Sequence, residues 1–166
     1  MTSAAAEIRK PILQALHGLL KPLGYRKSGN VFSLKTADVI HLIELQSSRY
    51  NTSDSCSFTI NAAVFAPRAI YPDIRARTKP SVGMAQWRSR IGSLMPTQID
   101  SWWEAHGDVG GLEIANEIAQ CTKEFVLPAL AGVPNLTTLI ELWKSGKCPG
   151  VPRAMQQNFL QWISLE

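Results

Sequence analysis

Val39-Ile40-His41-Leu42-Ile43-Glu44-Leu45-Gln46 and, after a polar interval, Cys56-Ser57-Phe58-Thr59-Ile60-Asn61-Ala62-Ala63-Val64-Phe65 are the two runs that decide the fold of this chain. Both are rich in β-branched and aromatic residues and have the length of strands. The first opens almost continuously apolar, as a central strand does. In the second, Phe58, Ile60, Ala62 and Val64 fall on one face, and Thr59, Asn61, Ala63 and Phe65 on the other. The interval 47–55 is too short for the crossover of a dozen or more residues that a parallel pair needs, so the spacing predicts antiparallel pairing.

Working outward, Val31-Phe32-Ser33-Leu34-Lys35 is a further strand, joined to the central one by a turn at Thr36-Ala37-Asp38. Upstream, Ile8, Ile12, Leu16, Leu19, Leu20 and Leu23 recur at helical spacing, with Ser3 as a cap and Glu7 in the early turns. Pro11 either kinks this helix or starts a shorter one, and Pro22 and Gly24 stop it. Downstream, residues 66–83 hold three prolines and no periodicity. Residues 87–91, with Trp87, Arg88 and Arg90, return to alternation as a fourth strand, and residues 99–104, with Trp102 and Trp103, form a possible fifth.

From Gly111 the period turns helical through Leu112, Ala115, Ile118 and Ala119 to Phe125 and Val126, with Pro128 marking the end. Asn135 caps a helix through Lys144 that Gly146 ends, and a last helix spans residues 153–163. Helix, then strands, then helices is the order of an α+β fold: an N-terminal helix, an antiparallel sheet of about four to five strands, and C-terminal helices packed on one face. The 166 residues form a single domain, 1–166.

Apolar residues make up 45% of the chain and charged residues 18%, which excludes a disordered segment. No basic and apolar leader opens the sequence, and Pro128 breaks its longest apolar run, so we expect no membrane association. Cys56, Cys121 and Cys148 are odd in number and far apart. They signal neither a disulfide framework nor a zinc ribbon, and the expected setting is cytoplasmic.

Residues 1–90 carry thirteen Lys and Arg against five Asp and Glu, and residues 91–166 carry four against eight. The excess peaks at Arg68, Arg75, Arg77, Lys79, Arg88 and Arg90. This segment suits nucleic acid or an acidic protein, and is equally a solvated loop answered by the acidic C-terminal helices.

Enzyme signatures are missing. The chain has no nucleophile elbow, zincin helix, phosphate loop or dinucleotide fingerprint. His17, His41 and His106 lie far apart, so no metal site and no cofactor is expected, and His41 on its apolar strand reads as a satisfied core residue. Nothing marks a base that would activate Ser47 or Ser48.

Strand parity is more informative. Glu44, Gln46 and Ser48 share a face, as do Thr59 and Asn61, and Arg88 and Arg90. If these faces coincide, Gln46, Asn61 and Arg90 cluster, with Glu44 close enough to pair with Arg88 or Arg90. Such a face recognises a polar group or a partner's backbone, or it is merely wet. Of Trp102 and Trp103, one packs inward and the other is placed to stack on an arginine.

Several stretches resemble a bacterial domain-of-unknown-function family, serial forty-three-oh-four. They are Leu19-Leu20-Lys21-Pro22-Leu23-Gly24-Tyr25-Arg26-Lys27-Ser28-Gly29-Asn30-Val31-Phe32, Leu45-Gln46-Ser47-Ser48-Arg49-Tyr50, Phe58-Thr59-Ile60-Asn61, Arg90-Ile91-Gly92 and Trp102-Trp103. They run in order over residues 10–130. The resemblance implies a small α+β fold of bacterial cytoplasmic origin, carries no catalytic assignment, and adds weight to Gln46, Ser48, Arg49, Asn61, Arg90 and Trp102.

The reading therefore leans away from an enzyme. It expects a non-catalytic binding module for a protein partner, in one form an immunity-type protein that neutralises a toxin. Its candidate binding residues are Glu44, Gln46, Ser48, Arg49, Asn61, Arg88, Arg90 and Trp102. The alternatives are a nucleic-acid-binding domain acting through positions 68–90, and a pocket between sheet and helices that binds a small anionic ligand or is enzymatic.

Overall fold

A computed structural model describes residues 4–52, 55–106 and 110–165, so Ser3, the expected cap of the first helix, lies outside the described residues. The order is α1 (Ala4–Leu20), β1 (Arg26–Ser28), β2 (Val31–Lys35), β3 (Ile40–Ser47), β4 (Ser55–Phe65), α2 (Pro72–Arg75), β5 (Trp87–Arg90), α3 (Ile91–Leu94), β6 (Trp103–His106), α4 (Gly111–Cys121), α5 (Leu127–Ala131), α6 (Leu136–Ser145) and α7 (Arg153–Ile163). It is an α+β domain with an N-terminal helix, an antiparallel sheet and C-terminal helices.

The sheet has six strands in the order β1-β2-β3-β4-β5, with β6 also on β4. β3 pairs along residues 58–65 of β4, while β5 and β6 lie end to end on its other edge, at residues 61–64 and 55–58. The strand unforeseen in sequence is β1, whose Arg26, Lys27 and Ser28 are all exposed and so carry no apolar alternation. It is held by the short turn Gly29-Asn30, where Gly29 takes a φ of 60° that L side chains resist.

The fifth strand begins later than predicted. β6 starts at Trp103, and Trp102 precedes it. Arg90 ends β5, and the chain turns directly into α3.

Alternation in β4 sorts two cores. Phe58, Ile60, Ala62 and Val64 join Phe32, Ile43, Leu45 and Trp87 in the main core. That core is closed by Ile12, Leu16 and Leu20 of α1, Ala115 and Ile118 of α4, Leu130 of α5, Leu139 and Trp143 of α6, and Phe159 of α7. On the opposite face Leu42, Ala63 and Phe65 meet Ile70 and Ala85 in a smaller core under the 67–85 segment.

α1 runs through Pro11 as one 17-residue helix. Its buried Ile8, Ile12, Leu16 and Leu20 supply the packing that offsets the lost hydrogen bond. Pro128 does not end the helical stretch either. Residues 122–126 form one wide π turn, and Pro128 sits in the first turn of α5. The wider turn relieves the clash of a proline ring with the carbonyl before it.

α6 starts and stops where its caps predict. Asn135 Oδ1 accepts from Thr138 N at 3.0 Å, and Gly146 takes a φ of 71°. Asp38, in the turn before β3, also caps it by accepting from Leu136 N at 2.9 Å.

His41 is buried, with Nε2 at 2.9 Å from the Val133 carbonyl, so the neutral ring donates there. Burial lowers its pKa, and the bond to Val133 offsets this only in part. The unfolded chain therefore takes up this proton first as pH falls. Stability is present in full above about pH 6.5 and declines below it until the folded histidine protonates. We expect the urea midpoint to drop between about pH 7.5 and pH 5, and less steeply in His41→Leu. Equal pH slopes in the two proteins would contradict this.

Candidate functional site

The face of the sheet opposite the helices is only half covered. Its apolar end carries the smaller core, and its polar end carries the side chains that strand parity groups. Pairing sets Glu44 opposite Asn61 and Asn61 opposite Arg90, with Gln46 opposite Thr59 in the next row. The Asn61 amide Nδ2 donates to Gln46 Oε1 at 2.7 Å and to Glu44 Oε2 at 3.1 Å. Gln46, Asn61 and Arg90 line one shallow pocket of about 260 Å³ with Arg88 and Gly150.

Glu44 pairs with neither arginine. Arg90 and Glu44 flank Asn61 on opposite sides, two strand spacings or about 10 Å apart, and the amide between them takes the carboxylate. Arg90 turns outward instead, donating to Asp100 Oδ2 at 2.8 Å and lying 5.2 Å from the centre of the Trp102 ring. Trp102 Nε1 donates to the same Asp100 oxygen at 3.0 Å.

Partial desolvation pushes the Asp100 pKa up. The bonds from Trp102 and Arg90 and the arginine's charge outweigh it and hold the carboxyl below its ordinary value. Trp102 is thus the half-buried stacking partner of an arginine, while Trp103 packs into the main core.

Thr59 is buried and donates to the Ser101 carbonyl at 2.8 Å, pinning the 99–102 segment to the gap between β5 and β6. Ser48 lies just beyond β3. Its Oγ accepts from Tyr50 N, and its own N–H bonds to Ser57, so it closes the turn. Arg49 is exposed in that turn, away from the cluster.

Much of the basic segment serves the fold. Arg88 donates to the Gly83 and Gly150 carbonyls at 3.2 and 2.8 Å, and Arg75 donates to the carbonyls of Arg68 and Ile70. With Arg90 on Asp100, at least Arg75, Arg88 and Arg90 of this segment are tied down within the protein.

Next to the amide cluster, on the same face, lies a groove of about 700 Å³. Arg26, Lys35 and Lys79 line it over Val31, Ile40, Leu42 and Val82. Sequence reading missed Asp100 and this groove. Arg26 and Lys35 share the face only through the pairing of β1 with β2 and of β2 with β3. No three His, Cys, Asp or Glu side chains gather among the described residues. Nor is any single described helix long and apolar enough to cross a membrane.

A six-stranded antiparallel sheet, with helices on one side and a half-open polar face on the other, defines a small α+β domain. The chain belongs to the family described as Domain of unknown function (DUF4304), whose model matches residues 16–132. All six strands lie inside the match, and α6 and α7 lie beyond it. No curated protein and no solved structure matches the chain.

Proposed function

We propose that this domain is a non-catalytic binding module that recognises a protein partner through the polar end of its half-covered sheet face. One observation carries the reading. Asn61 Nδ2 is spent on Glu44 and Gln46, which leaves Asn61 Oδ1 and Gln46 Nε2 in solvent contact without a protein partner among the described residues. An acceptor and a donor held side by side by neighbouring bonds complement the N–H and C=O of a peptide group. Because the pair is held before binding, less side-chain entropy is lost on recognition.

The nucleic-acid reading has less support. Arg75, Arg88 and Arg90 are engaged within the protein, and Trp102 already carries Arg90 on its ring.

The test is affinity capture from native cell extract with the wild type and with the double variant Gln46→Ala/Asn61→Ala. We expect the wild type to retain a partner at near-stoichiometric yield and the double variant to lose it. The variant's stability should fall by only about 1–2 kcal/mol, because the cluster is half-exposed. A partner that is toxic alone and harmless when bound identifies the immunity-type form. Equal capture by both proteins, or none by the wild type, would refute the proposal.

A further inference from the structure

The groove beside the amide cluster says what kind of segment the partner brings. We infer that it is extended and acidic, with apolar residues alternating with carboxylates, and that it lies across β1–β3. This rests on the protein-partner reading above.

The strands place the groove on the same face as Asn61. Arg26 pairs with Ser33 and Ser33 with Leu42, Lys35 pairs with Ile40, and Val31 pairs with Glu44, which leads on to Asn61. The floor is apolar, and Val31, Ile40 and Val82 are only partly covered by the smaller core. The rim is cationic. Arg26, Lys35 and Lys79 are exposed, and none has an ion-pair partner among the described residues. The one carboxylate lining the groove, Glu44, is taken by Asn61.

An extended segment turns successive side chains to opposite sides. It sets apolar groups on Val31 and Ile40, the partly exposed part of the floor, while its carboxylates reach the three cations, and its backbone continues onto Gln46 and Asn61. A nucleic acid fits less well, since the groove has no aromatic ring for base stacking and its apolar floor offers a phosphodiester nothing.

The probes are a capped peptide of alternating glutamate and valine, the same peptide with lysine for glutamate, and a single-stranded oligothymidylate of equal charge. Amide chemical shifts of the labelled full chain report where each binds. We expect the acidic peptide to move Ser33, Leu42 and Val82, the lysine peptide to move nothing, and salt to weaken binding. Arg26→Glu/Lys35→Glu/Lys79→Glu should weaken it by about tenfold or more. The neutral set Arg26→Gln/Lys35→Gln/Lys79→Gln should weaken it less, and serves if the reversed set fails to fold.

Four results would each overturn the inference: no shift with the acidic peptide, shifts confined to Lys10 and His17 on α1, equal binding of the oligothymidylate, or indifference to all three substitutions. Capture of the natural partner separates the two readings. If it depends on Asn61 but not on the three cations, the protein-partner reading stands and this inference falls. If it depends on neither, both fall.

Discussion

Gly92→Ala should cost about 3 kcal/mol or more, among the largest effects of any single methyl group in this chain. Gly92 is buried at the start of α3, and a Cβ there would lie 2.0 Å from the Ile99 carbonyl oxygen and 2.6 Å from Ser101 N. Both atoms belong to backbone, so no rotamer change makes room. The 99–101 segment would have to move, and it carries the Ser101 carbonyl that Thr59 uses and the Asp100 carboxylate that holds Arg90 and Trp102. Urea unfolding gives the stability, and Trp102 fluorescence reports the displaced ring. Ser93→Ala, one residue on and exposed, is the control and should stay within about 0.5 kcal/mol of wild type. A Gly92→Ala protein as stable as this control would show that the close approach is not what the fold depends on.

Gly150→Ala should lose about 2–5 kcal/mol for two separable reasons. Its φ of 69° lies where an L residue is strained, and the new Cβ would sit 2.3 Å from the Arg88 carbonyl oxygen. The segment around it closes the outer edge of β5. The Pro149 carbonyl accepts from Arg88 N at 3.1 Å, and the Gly150 carbonyl accepts from the Arg88 guanidinium. Cys148, its thiol pushed up to about 11 by burial, and Trp143 both donate to the Gln86 carbonyl just before β5.

Although α6 and α7 lie beyond the family match, this junction ties them to the sheet. Hydrogen exchange should therefore show α7 amides losing protection in Gly150→Ala before the amides of β3 and β4. Uniform loss across sheet and helices would mean that the C-terminal segment unfolds with the whole domain. A neutral substitution would contradict the contact itself.

The parts of the site legible in sequence were those that obey period two. Glu44, Gln46, Thr59 and Asn61 fall on one face because a strand alternates, and no packing detail changes that. What alternation cannot supply is who bonds to whom across the strands. The Glu44–arginine pair fails because register puts Asn61 between the two charges. Asp100, the actual partner of Arg90, lies in an irregular segment with no period to announce it.

The last helices were legible for a similar reason. Asn135, Gly146 and the apolar residues of 153–163 act within a few positions of one another, so their caps and stripe show in the chain itself. β1 was illegible because its three residues bury nothing, and Pro128 misled because the π turn that accommodates it is a choice of the packed helix.

By itself, then, the sequence determined the helix–strands–helices order, the antiparallel sense and the inward and outward faces of β3 and β4. These follow from periods, caps and interval lengths, which are local. Tertiary structure alone decided the register that joins Glu44, Asn61 and Arg90, the covering of half that face by residues 67–85, and the docking of Gly150 on Arg88. Each depends on groups brought together across 15 to 62 positions of chain, as Asn61–Gln46 and Arg88–Gly150 show. Contacts at that range are chosen by shape and by the need to satisfy buried polar groups, and no local pattern encodes either.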